Sequence, residues 1–333
     1  MVECETTIEL QGQIFVLDGE QASLMTSTPA ELVTTDPAAL RAQFRRQGYL
    51  LMRGLLPRPQ VAAVEAEIRA GLGEVQPACA DTLMNSHTFR RVSNGPELFG
   101  LFDALFDSPS VTLDHKHFRA IGTGVGTPFH MDRTYMGRGS RRLTTAWIPW
   151  HDVDLRTGGL AVVGGSHSLP GFAIVRDTYG EQEVHGMLSS DPLECLSWDP
   201  AAQWLTASYK AGDVLVFPMD LLHGSCTNRN PASAPLRLSS DVRFQPRVDP
   251  VDDRNTAHGR GESYTWDEKN FYYNLLGESC SRDQHAYEKL RQKRTGLGAP
   301  AYACGPPVPE DLEAAKQAWG LTSRSVAHGV SRL

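Results

Sequence analysis

The sequence contains few cysteines, and none of them lie close together. Only 6 of the 333 residues are cysteine, and no Cys-x-x-Cys motif occurs. Disulfide-rich scaffolds and zinc knuckles both require clustered cysteines, so both classes are excluded. The scattered thiols are typical of a reducing compartment. The six residues are Cys4, Cys79, Cys195, Cys226, Cys280 and Cys304.

The chain also lacks an excess of positive charge and any long apolar run. Lys and Arg total 32 against 39 Asp and Glu, a formal net charge of −7. Nucleic-acid binding needs a basic surface, so we expect no nucleic-acid partner. No stretch approaches the roughly eighteen apolar residues of a membrane span, and the acidic opening 1–6 has no apolar signal core. We therefore expect a cytoplasmic protein with no membrane partner.

The remaining composition, 41% hydrophobic and 21% charged, is that of an ordinary globular protein. Short strands, Gly/Pro turns and helices gathered near the start predict a mainly β fold with flanking helices, a cupin-like double-stranded β-helix or jelly roll. We expect one domain over residues 1–333. Strand and helical support would span 1–110, the jelly-roll core 111–247 with a lid insert at about 170–208, and a C-terminal extension 248–333. The extension is a candidate homodimer contact.

A histidine and an aspartate separated by one residue suggest a metal site. Side chains alternate along a strand, so His130 and Asp132 would point to the same face. His223, which follows the apolar run 214–222, is the predicted third ligand. Two imidazoles and one carboxylate match the facial triad of non-haem Fe(II) oxygenases. Zinc in a hydrolase uses the same ligand types, so the triad alone leaves the metal open.

An arginine further along the chain favours iron. Arg237 follows His223 by fourteen residues. It shares one face of a predicted strand with Ser239, Asp241 and Arg243. An arginine inside a barrel requires an anionic partner, and a guanidinium near a hydroxyl suits a carboxylate. This pattern predicts that Arg237 and Ser239 bind the distal carboxylate of 2-oxoglutarate, with Arg243 as a second candidate for the arginine's role.

Together these motifs resemble the phytanoyl-CoA dioxygenase family of Fe(II)/2-oxoglutarate oxygenases. The resemblance covers about residues 40 to 247. Its motifs are His130-x-Asp132, Leu160-Ala161-Val162-Val163-Gly164-Gly165-Ser166-His167, Leu222-His223-Gly224-Ser225 and Arg237-x-Ser239. The chain departs from the family in having Gly164 in place of the usual proline before Gly-Ser-His. It also has a longer spacing from the distal histidine to the arginine, with the extra residues in a turn-like segment, 228–235.

The resemblance implies a jelly roll that binds Fe(II), 2-oxoglutarate and O2. It implies that His130, Asp132 and His223 bind the iron, and that Arg237 binds 2-oxoglutarate. It makes His167 a structural turn residue.

Further co-substrate and substrate contacts are expected around this centre. The family likeness places a cationic or polar co-substrate contact on the strand before His-x-Asp, where Arg119, Lys116 and His117 are candidates. Trp147 is expected to pack against 2-oxoglutarate, with a purely core role as the alternative.

A substrate mouth is expected beside the iron ligands and under the lid. The candidate substrate residues are Arg133, Tyr135, Trp198 and Trp204. Arginines near the mouth and tryptophans in the lid favour a polar or glycosylated small molecule.

The predicted function is hydroxylation or oxidative cyclisation of a small natural-product intermediate, with 2-oxoglutarate converted to succinate and CO2. Because Asp132 is present, no ligand position is left for halide, so halogenation is disfavoured. One alternative is a cupin-like metal hydrolase or isomerase, which leaves Arg237 and Ser239 unexplained. The other is a non-catalytic sugar-binding jelly roll, which makes the triad accidental.

Overall fold

The longest strand, β13 (Arg237–Pro246), links three other strands. In the computed structural model, which describes residues 6–72, 86–113, 116–137, 139–178 and 188–250, β13 pairs antiparallel with β6 (Ser110–Thr112), β7 (His117–Ile121) and β8 (Thr144–Pro149). Because side chains alternate along a strand, its apolar residues pack against the helices and its charged residues face the barrel interior.

The larger sheet contains seven strands in the order β4-β5-β11-β8-β13-β6, with β7 also paired to β13. Its remaining members are β4 (Ser27–Thr28), β5 (Leu50–Met52) and β11 (Val214–Pro218). The sequence pattern over residues 143–150 predicts a strand, as does the apolar run that begins at residue 214, and the structure confirms both as β8 and β11.

A second sheet contains four strands in the order β12-β9-β10-β3. These are β12 (His223–Ser225), β9 (Leu160–Val163), β10 (Trp204–Thr206) and β3 (Ala22–Leu24). A hairpin of β1 (Thr7–Leu10) and β2 (Gln13–Val16) completes the strands of the described residues. The two sheets form the expected jelly roll.

Helices flank the larger sheet on its outer side and also connect strands. They are α1 (Leu32–Thr35), α2 (Pro37–Gln47), α3 (Arg58–Leu72), α4 (His87–Ser93), α5 (Pro96–Phe106), α6 (Arg133–Met136), α7 (Ala173–Thr178) and α8 (Pro192–Ser197), with a 3₁₀ turn over Pro170–Phe172. Helix α2 begins where Asp36 accepts a hydrogen bond from the Ala39 amide at 2.9 Å, and it ends at Gly48, whose φ is 75°. Among the helices that the structure describes, none is both long and apolar enough to cross a membrane.

Two layers of the hydrophobic core lie on opposite sides of the larger sheet. One layer packs α3, α4 and α5 against the outer face of β13, where Phe102 stacks on Phe244 at 4.1 Å between ring centroids. The other lies between the two sheets, where Trp147 meets Tyr209 edge-on at 4.7 Å. This second layer borders the site described below, so the packing that closes the barrel also orients the functional side chains.

Two sequence expectations require correction. The alternating pattern over residues 111–121 predicts one strand, whereas the structure has two, β6 and β7, which pair with different parts of β13. The predicted lid at 170–208 is only partly an insert, because its end contributes β10 to the smaller sheet. Residues 179–187 of that lid, and the predicted extension beyond residue 250, lie outside the described residues.

Candidate metal centre and co-substrate pocket

The two candidate histidine ligands are paired through their backbones. The His130 amide donates to the His223 carbonyl at 2.9 Å, and the His223 amide donates back at 3.0 Å. This isolated antiparallel bridge places the imidazole centroids 4.3 Å apart. Backbone pairing therefore sets the distance between the two rings.

Each imidazole is oriented by a hydrogen bond from its own Nδ1. That of His130 lies 2.9 Å from the Pro128 carbonyl, and that of His223 lies 2.9 Å from the Leu221 carbonyl. Because a carbonyl only accepts hydrogen bonds, each Nδ1 carries the proton and each Nε2 keeps its lone pair for a metal.

Asp132 completes the group, but not by strand alternation. It lies in the turn that opens α6, so the expectation that His130 and Asp132 share a strand face is wrong. The ligand atoms of His130, Asp132 and His223 nevertheless all lie within 4.8 Å of one another. All three residues are buried. This spacing suits a single metal ion held by two imidazoles and one carboxylate.

Burial and neighbouring charges set the protonation state of the three residues. Burial lowers the pKa of His130 to about 3, assisted by His223, and burial also lowers the pKa of His223. Burial by itself would raise the pKa of Asp132, but the Arg243 guanidinium, assisted by the two histidines and the Thr145 hydrogen bond, lowers it by more, so the net pKa lies below its usual range. At neutral pH the group is therefore two neutral imidazoles and a carboxylate, which is the state that binds a divalent cation.

Ser166 fixes the segment that carries His223. Its buried hydroxyl accepts a hydrogen bond from the Leu222 amide at 2.9 Å. The next residue, His167, points elsewhere, with its Nε2 2.9 Å from the Arg45 carbonyl. His167 is thus outside the metal group, as expected. The positioning role of Ser166 was missed, although the Gly-Ser-His motif marked its position.

Arg237 is fully buried and only partly satisfied. Its Nη1 donates to the Gly158 carbonyl at 2.6 Å, while its Nε and Nη2 have no hydrogen-bond partner among the described residues. Burial lowers the pKa of Arg237 to about 10, assisted by Arg119, so the guanidinium remains charged at neutral pH. A buried cation with two free donors requires an anion.

Two other buried donors are unsatisfied on neighbouring strands. Within the part of the chain that the structure describes, neither the Ser239 hydroxyl nor the Trp147 indole nitrogen has a hydrogen-bond partner. Ser239 lies two residues from Arg237 on β13, and Trp147 lies on β8, which pairs with β13. These donors suit a ligand with carboxylate oxygens, and 2-oxoglutarate fits this chemistry.

Arg119 on β7 donates to Asp241, which lies on the same face of β13 as Arg237 and Ser239. It is paired with Ser239 in the β7–β13 register, and its charge lowers the pKa of His130, His223 and Arg237. Lys116, by contrast, donates to the Thr112 hydroxyl and the Leu113 carbonyl near the end of β6. His117 lies opposite Asp241 in the strand register. Of the three candidates, Arg119 therefore has the position that suits a co-substrate contact.

Arg243 is engaged with the metal group instead of the co-substrate pocket. Its Nη2 lies 3.2 Å from Asp132 Oδ1, and its Nε lies 3.4 Å from Oδ2. This ion pair removes Arg243 as the alternative to Arg237. Sequence reasoning placed Arg243 on the correct strand face but did not foresee its partner.

The candidate substrate residues are dispersed. Arg133 forms an ion pair with Asp220 at 3.2 Å, next to the metal group. Trp198 is partly buried and meets Phe172 edge-on at 5.6 Å. The Tyr135 side chain lies outside the described part of the structure.

Trp204 does not face a substrate mouth. Its ring is fully buried against Phe129 at 4.6 Å, and its indole nitrogen donates to the Pro192 carbonyl at 3.2 Å. The expectation that Trp204 contacts substrate is corrected by this placement, because β10 directs the side chain into the core beside the residue that precedes His130.

Comparison with known proteins agrees with this geometry. The profile of the phytanoyl-CoA dioxygenase (PhyH) family matches residues 44–235. The 1-deoxypentalenic acid 11-beta-hydroxylase of Streptomyces exfoliatus is 27% identical over 254 residues, which cover 67% of this chain and 87% of that protein. Its counterpart from Streptomyces arenae is 26% identical over 236 residues, which cover 63% of this chain and 82% of that protein.

Solved structures share the fold. The epimerase SnoN, in complex with Fe3+, alpha ketoglutarate and nogalamycin RO, is 25% identical with a TM-score of 0.52, covering 68% of this chain and 93% of that one. The alpha ketoglutarate dependent carbocyclase SnoK is 19% identical with a TM-score of 0.51, covering 73% of this chain and 98% of that one. With the triad inside the matched region, the chain belongs to the phytanoyl-CoA dioxygenase (PhyH) family of 2-oxoglutarate-dependent non-haem iron oxygenases.

Proposed function

We propose that this oxygenase hydroxylates or oxidatively cyclises a natural-product intermediate, with release of succinate and CO2. The observation that carries the proposal is the combination of a buried His-Asp-His group with the unsatisfied donors of Arg237. The first suits Fe(II), and the second suits the far carboxylate of 2-oxoglutarate. A metal hydrolase or a sugar-binding jelly roll has no use for the second feature.

The residues divide into a metal group and a co-substrate group. His130, Asp132 and His223 would hold Fe(II), which with 2-oxoglutarate and O2 supplies the oxidising chemistry. Arg237 and Ser239 would bind the distal carboxylate of 2-oxoglutarate.

Two further residues would complete the co-substrate pocket. The Trp147 indole would donate from the neighbouring strand. Arg119 would lie beside the co-substrate, because it is opposite Ser239 in the β7–β13 register. The buried setting excludes water from the co-substrate and strengthens each of these contacts.

The substrate class is inferred from relatives and from the site. The two hydroxylases named above act on 1-deoxypentalenic acid, and SnoN binds nogalamycin RO. We infer a polar or glycosylated natural-product intermediate for this chain as well. Arg133, next to Asp132, forms an ion pair with Asp220. The pair would offer the substrate a cation and a hydrogen-bond acceptor. Trp198 is a weaker contact candidate, because its ring packs on Phe172.

The reaction type is constrained by the ligand set. A carboxylate ligand is retained at Asp132, which favours hydroxylation or ring closure over halogenation. A homodimer, a cytoplasmic location and the absence of nucleic-acid and membrane partners stay predictions from the sequence.

The test is succinate formation. Purified protein is incubated with Fe(II), 2-oxoglutarate and pools of natural-product intermediates, and succinate is measured with each component omitted in turn. Succinate that depends on iron and 2-oxoglutarate, and that is lost in Asp132→Ala, supports the proposal. His167→Gln is the matched control, because this histidine lies outside the metal group. Metal-dependent hydrolysis without 2-oxoglutarate consumption, or sugar binding unchanged in Asp132→Ala, would favour the alternatives.

A further inference from the structure

Both carboxylate oxygens of Asp132 are held by side chains outside the metal triad. The Thr145 hydroxyl donates to Oδ2 at 2.6 Å, and Arg243 Nε lies 3.4 Å from the same oxygen. Arg243 Nη2 donates to Oδ1 at 3.2 Å, and Oδ1 lies 4.0 Å from His130 Nε2. All of these side chains are buried. Oδ1 thus lies toward His130 and accepts one hydrogen bond, whereas Oδ2 accepts two.

We propose that Arg243 and Thr145 are positioning residues that hold Asp132 as a one-oxygen metal ligand. The inference rests on the proposed metal site. A carboxylate that swings to bind through both oxygens takes an additional coordination position. The facial triad leaves such positions open for co-substrate and oxygen. Oδ2 accepts hydrogen bonds from both Thr145 and Arg243, whereas Oδ1 accepts one from Arg243 and keeps a lone pair that can bind the metal.

A second carboxylate also lies near Arg243. Asp241 Oδ2 is 4.0 Å from Arg243 Nη2, accepts a hydrogen bond from Arg119 Nε at 3.2 Å and lies 3.1 Å from Arg119 Nη2. Arg243 therefore lies between two buried carboxylates, which offset the cost of burying its charge. The planar fork of arginine matches this arrangement, and the single ammonium of lysine does not.

The chain contains the same arrangement at a position away from the metal group. Arg142 donates to both oxygens of Asp249, and the Ser140 hydroxyl donates to Asp249 Oδ2 at 2.5 Å. Arg142 is about half exposed, with 49% of its side chain accessible. This pair is a matched control, because it has the same donors around a carboxylate that is not a candidate ligand.

Co(II) is the probe, since it binds such ligand sets and its absorption spectrum reports coordination number. Metal-free wild type, Arg243→Met, Arg243→Lys, Thr145→Val and Arg142→Met are titrated with Co(II) by calorimetry, and the spectra are recorded. We expect Arg243→Met and Arg243→Lys to lose roughly 10- to 100-fold in affinity and to change spectrum. Thr145→Val should change the Co(II) affinity and spectrum in the same direction but by less, and Arg142→Met should match wild type in both.

Several outcomes overturn the inference. Wild-type Co(II) affinity and spectrum in Arg243→Met would overturn it. Full retention of both in Arg243→Lys would also overturn it, because Arg243 would then contribute only its charge. If circular dichroism shows that the Arg243 variants do not fold, wild-type Co(II) affinity and spectrum in Thr145→Val would overturn the inference instead. The His223→Ala variant distinguishes a failure of the proposed metal site from a failure of the positioning role alone. Equal Co(II) binding by wild type and His223→Ala defeats the proposed metal site, whereas a clear difference there with unchanged Arg243→Met defeats only the positioning role.

Discussion

His130 and His223 exchange both of their backbone hydrogen bonds, although they are far apart in the sequence. The two candidate ligands are therefore neighbours in a short antiparallel pair, and the separation of their rings is set by main-chain geometry. Any change that forces these two segments apart should weaken the metal site before it unfolds the protein.

Gly224→Ala should have this effect. A Cβ at Gly224 would lie 2.7 Å from Phe129 Cδ1 and 2.7 Å from the Thr127 carbonyl oxygen, so β12 must move away from the segment that carries His130. We expect a loss of about 1–3 kcal/mol in unfolding free energy and weaker Co(II) binding. Denaturant unfolding and calorimetric titration measure these quantities.

Gly100→Ala is the matched control for Gly224→Ala. Gly100 lies in α5 with nothing within 4 Å of the added methyl group, so alanine should be neutral or stabilise by about 0.5–1 kcal/mol. Equal effects of the two substitutions would contradict the close-approach interpretation.

Arg237→Met should separate ligand binding from stability. The two unsatisfied nitrogens of Arg237 make it costly to bury without a ligand, so methionine should leave the unliganded protein as stable or more stable. Affinity for 2-oxoglutarate should fall about 10- to 100-fold, since charge-assisted hydrogen bonds contribute about 1.5–3 kcal/mol. Thermal shifts with and without 2-oxoglutarate provide the measurement. Undiminished 2-oxoglutarate binding by Arg237→Met would show that Arg237 does not contact the co-substrate.

His151 should make stability depend on pH. Its Nε2 accepts a hydrogen bond from the Leu238 amide at 3.0 Å, and its Nδ1 lies 2.8 Å from the Asp152 carbonyl, so the folded state requires the neutral ring. Burial lowers the pKa of His151 below 6.5. The unfolded chain therefore binds the proton first as pH falls, and this contribution to stability is lost below about pH 6.5.

The corresponding variant is His151→Gln. Its unfolding free energy, measured by denaturant titration from pH 7 to pH 4.5, should fall less steeply than that of wild type. The largest difference in slope is about 1.4 kcal/mol per pH unit, the effect of one proton. The other histidines contribute equally to both proteins. Parallel curves would show that His151 does not titrate on unfolding.

Trp204 should behave as a core residue. Because its ring is fully buried against Phe129, Trp204→Ala should cost about 3–5 kcal/mol of unfolding free energy. Trp204→Phe should retain most of the stability and leave KM for the substrate unchanged. A selective rise in KM for Trp204→Phe, with stability preserved, would show that Trp204 contributes to substrate binding.

Much of the site could be predicted because its chemistry lies in residue identity. His130, Asp132 and His223 are ligand types that suit iron, and an arginine on a strand face with a nearby serine points to a carboxylate. Alternation along β13 also placed Arg237, Ser239, Asp241 and Arg243 on one face. These features are local, so one sequence was enough to find them.

The partners of these side chains could not be predicted from the sequence, because they depend on which strands meet across the barrel. Arg237 and Arg243 have the same side chain on the same face of β13. The position of Asp132, in the turn that opens α6, makes Arg243 its partner, whereas Nε and Nη2 of Arg237 have no partner among the described residues. Likewise, Trp204 resembled a lid residue until β10 joined the smaller sheet and placed it in the core. The sequence by itself determined the candidate ligands and their chemistry, whereas pairing between distant strands decided which charges meet.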